Sequence, residues 1–133
     1  MAFVDTSFWF ARAIARDRRH TDAAALADRF RHAPVVTSNL VLGETWTLLS
    51  HRAGHRRALR WLNGVRGEPV TIERVEIDVE TEAWEWLRQH DERPYSFVDA
   101  TSFALMRKLR ITEALAFDGD FATAGFVELR PDA

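Results

Sequence analysis

The sequence contains no cysteine, which excludes a disulfide framework, thiolate-bound zinc and a thiol nucleophile together. It has a single lysine, Lys108, against 17 arginines, and a single tyrosine. Its longest stretch free of acidic and basic side chains, Ala33–Gly43, is far shorter than the ~20 apolar residues a membrane span needs. No glycine-rich phosphate loop occurs, and no Ser–His–Asp arrangement rises above chance. The chain opens Met-Ala-Phe-Val-Asp, with no room for a signal peptide before an apparent strand, so the cytoplasm is the expected compartment. What remains is ordinary for a globular domain: 133 residues, 47% hydrophobic and 29% charged, enough to bury a core as one domain spanning 1–133.

The net charge of -2 conceals a strong segregation. Between Thr45 and Gly67 lie Arg52, Arg56, Arg57, Arg60 and Arg66 with no acid at all. The next stretch, Glu68 to Glu92, is dominated by acids. A near-neutral total argues against a protein that simply coats nucleic acid, yet the arginine segment suits a track for a phosphate backbone. The competing reading is a solvated helix face.

Strand-like and helical patterns alternate along the chain. Ala2–Asp5, Val35–Thr37, Val70–Val75, Ala114–Phe117 and Phe126–Leu129 read as strands. Helices are expected from Ser7 to about Ala15, from Thr21 as N-cap to Phe30, and from Ser38 or Asn39 to about Arg52. Further helices are expected over His55–Val65, Asp78–His90 and Phe97–Leu109. This alternation predicts an α/β fold in three layers, with a mostly parallel sheet of four to five strands flanked by helices.

Ligands of open parallel sheets gather beyond the carboxyl ends of the strands. Asp5 follows the first strand and Asp118 the fourth. Glu44 lies on a helix with Leu40, Val41 and Leu48 at shared-face spacings, and Asp99 shares a face with Phe103 and Met106. Each acid has a local explanation: Asp5 as an N-cap, Asp99 in a helix first turn, Asp118-Gly119-Asp120 as turn chemistry. Glu44 has the weakest. If all four converge, charges ~5 Å apart repel by about 3 kcal/mol per pair at an effective dielectric near 20, so protons or divalent cations must neutralise them. Oxygen-only ligands favour Mg2+ or Mn2+ over zinc. A hard cation so held is how nucleases set a water against a phosphodiester.

Four stretches in order resemble the PIN domain, and specifically VapC-type ribonuclease toxins. They are Phe3-Val4-Asp5-Thr6-Ser7, Thr37-Ser38-Asn39-Leu40-Val41-Leu42-Gly43-Glu44, Ser96-Phe97-Val98-Asp99-Ala100-Thr101-Ser102-Phe103-Ala104 and Ala116-Phe117-Asp118-Gly119-Asp120-Phe121. The resemblance covers essentially the whole chain. It implies a Mg2+- or Mn2+-dependent endoribonuclease that cuts structured RNA, tRNA or rRNA, to arrest translation. It also implies a homodimer silenced by a VapB-type antitoxin threading into the active-site groove. Carried over residue by residue, the catalytic acids are Asp5, Glu44, Asp99 and Asp118, with Asp5, Asp99 and Asp118 holding metal. Thr6 is expected to keep a hydroxyl near metal or phosphate, and Asp120 to assist or replace Asp118. Ala116 departs from the Thr or Ser common in the family two positions before the final acid. A non-cleaving PIN-like module that binds RNA or protein is the alternative.

Arg52, Arg56, Arg57 and Arg60, with Trp46 and Trp61, are the candidate contacts for RNA or antitoxin. His51 and His55 have a spacing that can grip zinc on a helix, but Arg52 stands between them and Arg56 and Arg57 repel a cation. Solvent-facing histidines are the expectation. Trp84 and Trp86 cannot both face a core, so one is expected at the surface. A phosphoacceptor domain is disfavoured because Asp5 is followed by Thr6. A haloacid-type phosphatase is disfavoured because Ser7 stands where its second Asp belongs.

Overall fold

The computed structural model describes residues 1–132. Five strands form one parallel sheet: β1 (Ala2–Val4), β2 (Val35–Ser38), β3 (Val70–Glu73), β4 (Glu113–Leu115) and β5 (Val127–Glu128). Their order is β3-β2-β1-β4-β5, with Val4 opposite Leu115 and Phe3 opposite Val36. Seven helices flank it: α1 (Thr6–Ala13), α2 (His20–Arg29), α3 (Asn39–Ala53), α4 (His55–Arg66), α5 (Ile77–Gln89), α6 (Phe97–Leu109) and α7 (Asp120–Thr123). The expected α/β fold with a parallel sheet is borne out.

The connections explain where a site must lie. From β1 to β2 to β3 the chain steps outward in one direction, then crosses back over β2 and β1 to place β4 on the far side of β1. Right-handed crossovers in opposite directions put helices on both faces of the sheet. The reversal between β1 and β4 splays their outgoing loops apart and leaves a crevice at the carboxyl ends of these two strands.

The buried strands are near-continuous apolar runs, as a sheet covered on both faces requires: Ala2, Phe3, Val4, Ala114 and Leu115 are all at most 2% exposed. Phe103 on α6 anchors an aromatic cluster with Trp86, Tyr95, Phe121 and Phe126 at centroid distances of 4.9 to 5.7 Å. Helices α3 and α6 start at side-chain caps. Ser38 Oγ accepts from Val41 N, and Ser96 and Asp99 form a reciprocal capping box. Gly54, at φ 91°, ends α3 and starts α4, a backbone conformation that glycine adopts without strain.

Some local expectations shift. α2 starts earlier than Thr21: Arg19 is its N-cap and gives no side-chain cap bond, while His20 Nδ1 lies 2.8 Å from the Ala11 carbonyl and ties the helix to α1. α1 ends at Ala13 rather than Ala15. β4 stops at Leu115, so Asp118 stands three residues beyond the strand rather than at its end. Trp84 is the exposed member of its pair and stacks on Phe97, whereas Trp86 packs inward against Phe103.

Candidate active site

Asp5 leaves β1 into the crevice and is 2% exposed. It is the N-cap of α1, so the capping explanation and the functional one hold at once. Its Oδ2 accepts from Ser7 N at 3.1 Å and Ser7 Oγ at 2.7 Å. Ser7 Oγ in turn accepts from Phe117 N at 3.0 Å, which pins the loop after β4 to the loop after β1. Asp99 comes from the first turn of α6 and is 8% exposed, its Oδ2 held by Ser96 N at 3.0 Å. Among the described residues no protein donor bonds to Oδ1 of either acid.

Asp118 lies at the rim and is exposed. Its Oδ1 accepts from Asp120 N at 3.1 Å, the tight turn that Gly119 permits at φ 85°. Asp99, Asp118 and Asp120 can each present one carboxylate oxygen within 4.8 Å of the others. Asp5 adjoins this set: burial pushes its pKa up to about 8, and the charges of Asp118 and then Asp99 push the same way against the two Ser7 hydrogen bonds. Asp99 is raised to about 7, first by burial and then by Asp118 and Asp120. Asp118 is raised to about 6 by partial burial, Asp120 and Glu128. Carboxylates packed this closely hold protons near neutral pH or share a cation.

The donor set fits a hard divalent ion. It is all oxygen, it is anionic, and it comes from the first turn of α6 and the turn that opens α7. Asp120 belongs to it more fully than the sequence suggested, although it also accepts Arg93 Nε at 2.7 Å. Among the described residues Glu44 joins no set of three acids. It lies half-buried on α3, along an open depression bordered by Phe97 and Val98, the two residues before Asp99.

Thr6 is a correction. Its hydroxyl donates to the Val41 carbonyl at 3.4 Å and accepts from Thr45 Oγ1 at 3.2 Å, inside the α1–α3 contact. Ser7, one residue on, supplies the hydroxyl at the acids. Trp46 and Trp61 have different surroundings. Trp46 meets His55 edge-on, while Trp61 packs edge-on against Trp9 and lines a cavity of about 500 Å3 with Arg57 and Arg60. His51 and His55 are exposed, as expected.

Sequence reasoning missed Arg93. It donates from a terminal nitrogen to the Asp118 carbonyl at 3.2 Å as well as to Asp120, and so holds the 118–120 turn. It missed Glu128 too, which accepts from Gly119 N and Ala122 N while pairing with Arg130. Arg93 sits in a Pro-containing loop with no periodic signal, and Glu128 reads as an ordinary strand-end acid.

Residues 2–127 match the PIN domain family. The chain belongs to the PIN domain family. Within that family it is 57% identical over 132 residues to the 23S rRNA-specific endonuclease VapC20 of Mycobacterium tuberculosis, in two strains, covering 99% of this chain and 100% of the relative. The crystal structure of the same species' VapC20, described as a sarcin-ricin loop cleaving toxin, superposes with a TM-score of 0.92 at 55% identity. That match covers 98% of this chain and 100% of that one. The expected PIN ribonuclease of the VapC toxin type is therefore borne out, and with it the α/β class and the endonuclease activity. Among the described residues no helix is long and apolar enough to cross a membrane.

Proposed function

We propose that this PIN domain, spanning 1–133 (Ala133 lies outside the described residues), is the Mg2+- or Mn2+-dependent toxin of a type II toxin–antitoxin pair, cleaving the sarcin-ricin loop of 23S rRNA to arrest translation in the cytoplasm. The observation behind the chemistry is the convergence of Asp5, Asp99, Asp118 and Asp120 at the β1–β4 crevice. The substrate follows from the similarity to the VapC20 relatives over their whole length. When bound, the divalent ion supplies a positive centre that acidifies water and offsets charge on the departing oxygen.

The chain's own groups prepare that site. Asp5, Asp99 and Asp118 hold the ion, with Asp120 assisting through the oxygen that Arg93 leaves free. Ser7 fixes the Asp5 rotamer and ties both strand-end loops together, and the Ser96 capping box fixes Asp99. Glu44, half-buried on α3, would orient water at the ion or take a proton from the attacking water as general base. Exposed Arg52, Arg56, Arg57 and Arg60 contact the RNA backbone.

The partner is a VapB-type antitoxin. The cavity between α1 and α4 that Trp61, Arg57 and Arg60 line also contains Trp9, and the indole N–H groups of Trp9 and Trp61 are buried without an acceptor. An acidic peptide would suit the Arg57 and Arg60 side of this cavity. Exposed Ile72 and Ile77, on and just after edge strand β3, suit burial in a homodimer, which light scattering tests by mass.

The deciding experiment incubates purified protein and its Asp5→Asn variant with ribosomes and Mg2+, then maps the 5′ ends of 23S rRNA fragments. One cut in the sarcin-ricin loop, absent with chelator and with Asp5→Asn, is expected. RNA binding without any cut would return the chain to the non-cleaving alternative.

A further inference from the structure

The N-cap of α7 is Gly119, and Ala122 stands at the third helical position. Neither has a side chain that can accept the N–H groups a first helical turn leaves open. In α6 a reciprocal capping box serves these same two positions, through Ser96 and Asp99. The positive φ at 119, which accompanies the Asp118 Oδ1 bond to Asp120 N, favours glycine and so gives up a local capping side chain. A residue from another strand takes over. Glu128, the last residue of β5, accepts Gly119 N on Oε1 at 3.3 Å and Ala122 N on Oε2 at 3.1 Å.

The Glu128 side chain is only 5% exposed, and a carboxylate buried to that degree requires partners. Arg130 Nη2 supplies a third donor, 3.2 Å from Oε1. The same guanidinium donates from Nη1 to the Ala116 carbonyl at 2.9 Å and lies 5.0 Å from the centre of the Phe117 ring. The end of the chain thus grips the acid loop twice. Arg130 holds Ala116, before Asp118, and Glu128 holds Gly119 and Ala122, on either side of Asp120. A carboxylate that only secured the chain end would need no partner beyond Arg130. The two N–H groups that Glu128 spans belong instead to the turn that carries two of the acids. Its charge also reaches Asp118, whose pKa is raised first by burial and then by Asp120 and Glu128.

We propose that Glu128 is a positioning residue of the metal site: by holding Gly119 N and Ala122 N it fixes Asp118 and Asp120 where one divalent ion can bind both. The inference rests on the metal-dependent reading above and adds that affinity for the ion is set from β5, behind the acids that face the crevice. Groups that orient metal ligands from behind alter metal affinity when they are replaced, even though they never touch the ion.

The test uses Glu128→Gln, which keeps the side chain's length but turns an NH2 group toward one of the two N–H donors. Glu113→Gln, exposed on β4, removes a charge from the same sheet and serves as control. By calorimetry, Mg2+ affinity should fall roughly 10- to 100-fold in Glu128→Gln and stay at the wild-type value in Glu113→Gln. In cleavage of a sarcin-ricin loop oligonucleotide, the Mg2+ concentration giving half the maximal rate should rise by the same factor, with kcat at saturating Mg2+ preserved. Coupling between ion and turn is reciprocal, so Mg2+ should slow hydrogen exchange at the Gly119 and Ala122 amides of the wild-type protein. That measurement decides the matter even if Glu128→Gln fails to fold. Wild-type Mg2+ affinity in folded Glu128→Gln, an equal loss in Glu113→Gln, or exchange at the two amides that ignores Mg2+ would overturn the proposal. The calorimetric and exchange readouts use no RNA. A wild-type protein that binds Mg2+ but cleaves nothing would therefore overturn the nuclease reading alone, and one that binds no Mg2+ would overturn both.

Discussion

Replacing Asp5 by Asn separates the stability cost of the acid cluster from its function. In the folded chain Asp5 is raised from 3.8 to about 8, by burial first and then by the charge of Asp118. A folded pKa above the unfolded one means that the folded state binds the proton more tightly. The associated stability is then complete below pH 4 and is lost as pH rises toward 8. At about 1.4 kcal/mol per unit the shift bounds the loss at about 6 kcal/mol. Asp118 is exposed at the rim, where water screens its charge, so the expected loss is lower, roughly 2 kcal/mol. Asn removes the charge but keeps an oxygen for Ser7 N and Oγ, so the α1 cap survives. Urea unfolding in chelator at pH 5 and pH 8 measures this. The wild-type protein should lose roughly 2 kcal/mol more than Asp5→Asn between the two pH values. Mg2+ at pH 8 should restore the wild type and leave the variant almost unchanged, while the variant cleaves no RNA. Equal pH sensitivity of the two proteins would refute the claim that Asp5 sits in a mutually repelling cluster.

Other expectations follow from single contacts. Ser7→Ala removes the acceptor for Phe117 N as well as a donor to Asp5, so it should cost about 1–3 kcal/mol in chemical unfolding and lower kcat at saturating Mg2+. Thr6→Ala, which loses contacts inside the α1–α3 packing, should cost about 1 kcal/mol and leave cleavage per folded molecule unchanged. Arg93→Ala frees Asp120 from its counter-charge and loosens the 118–120 turn. Mg2+ affinity by calorimetry should rise several-fold while kcat falls. Reversing Arg56 and Arg57 to Glu should raise KM and flatten the dependence of KM on salt, with kcat at saturation preserved.

The sequence carried the element order well because its strands are short apolar runs between helices of clear period, and a sheet covered on both faces demands that pattern. It could not carry the strand order. Nothing local distinguishes a β3–β4 connection that crosses two strands from one that steps to the next, yet that crossing creates the crevice between β1 and β4. The capping of α2 was misread because Thr21 is a good N-cap type, whereas tertiary contact with α1 sets the start of the helix two residues earlier. Short-range chemistry was legible where a residue serves its neighbours, as with Ser38.

The acids illustrate a second limit. Asp5 caps a helix, Asp99 closes a capping box and Asp118 makes a turn, so each satisfies a local structural role that sequence alone accepts as sufficient. Those roles are compatible with the proposed chemistry. Each uses one oxygen of a carboxylate for backbone N–H groups, which fixes the side chain and leaves the second oxygen for the crevice. Glu44 has no such role, and its carboxylate is the one that stands apart from the group. Rigid acids suit an ion that must be held in one place, whereas an untethered glutamate suits a proton that must be taken and released. On the proposed mechanism, the capped carboxylates are the metal ligands and the uncapped one is the general base.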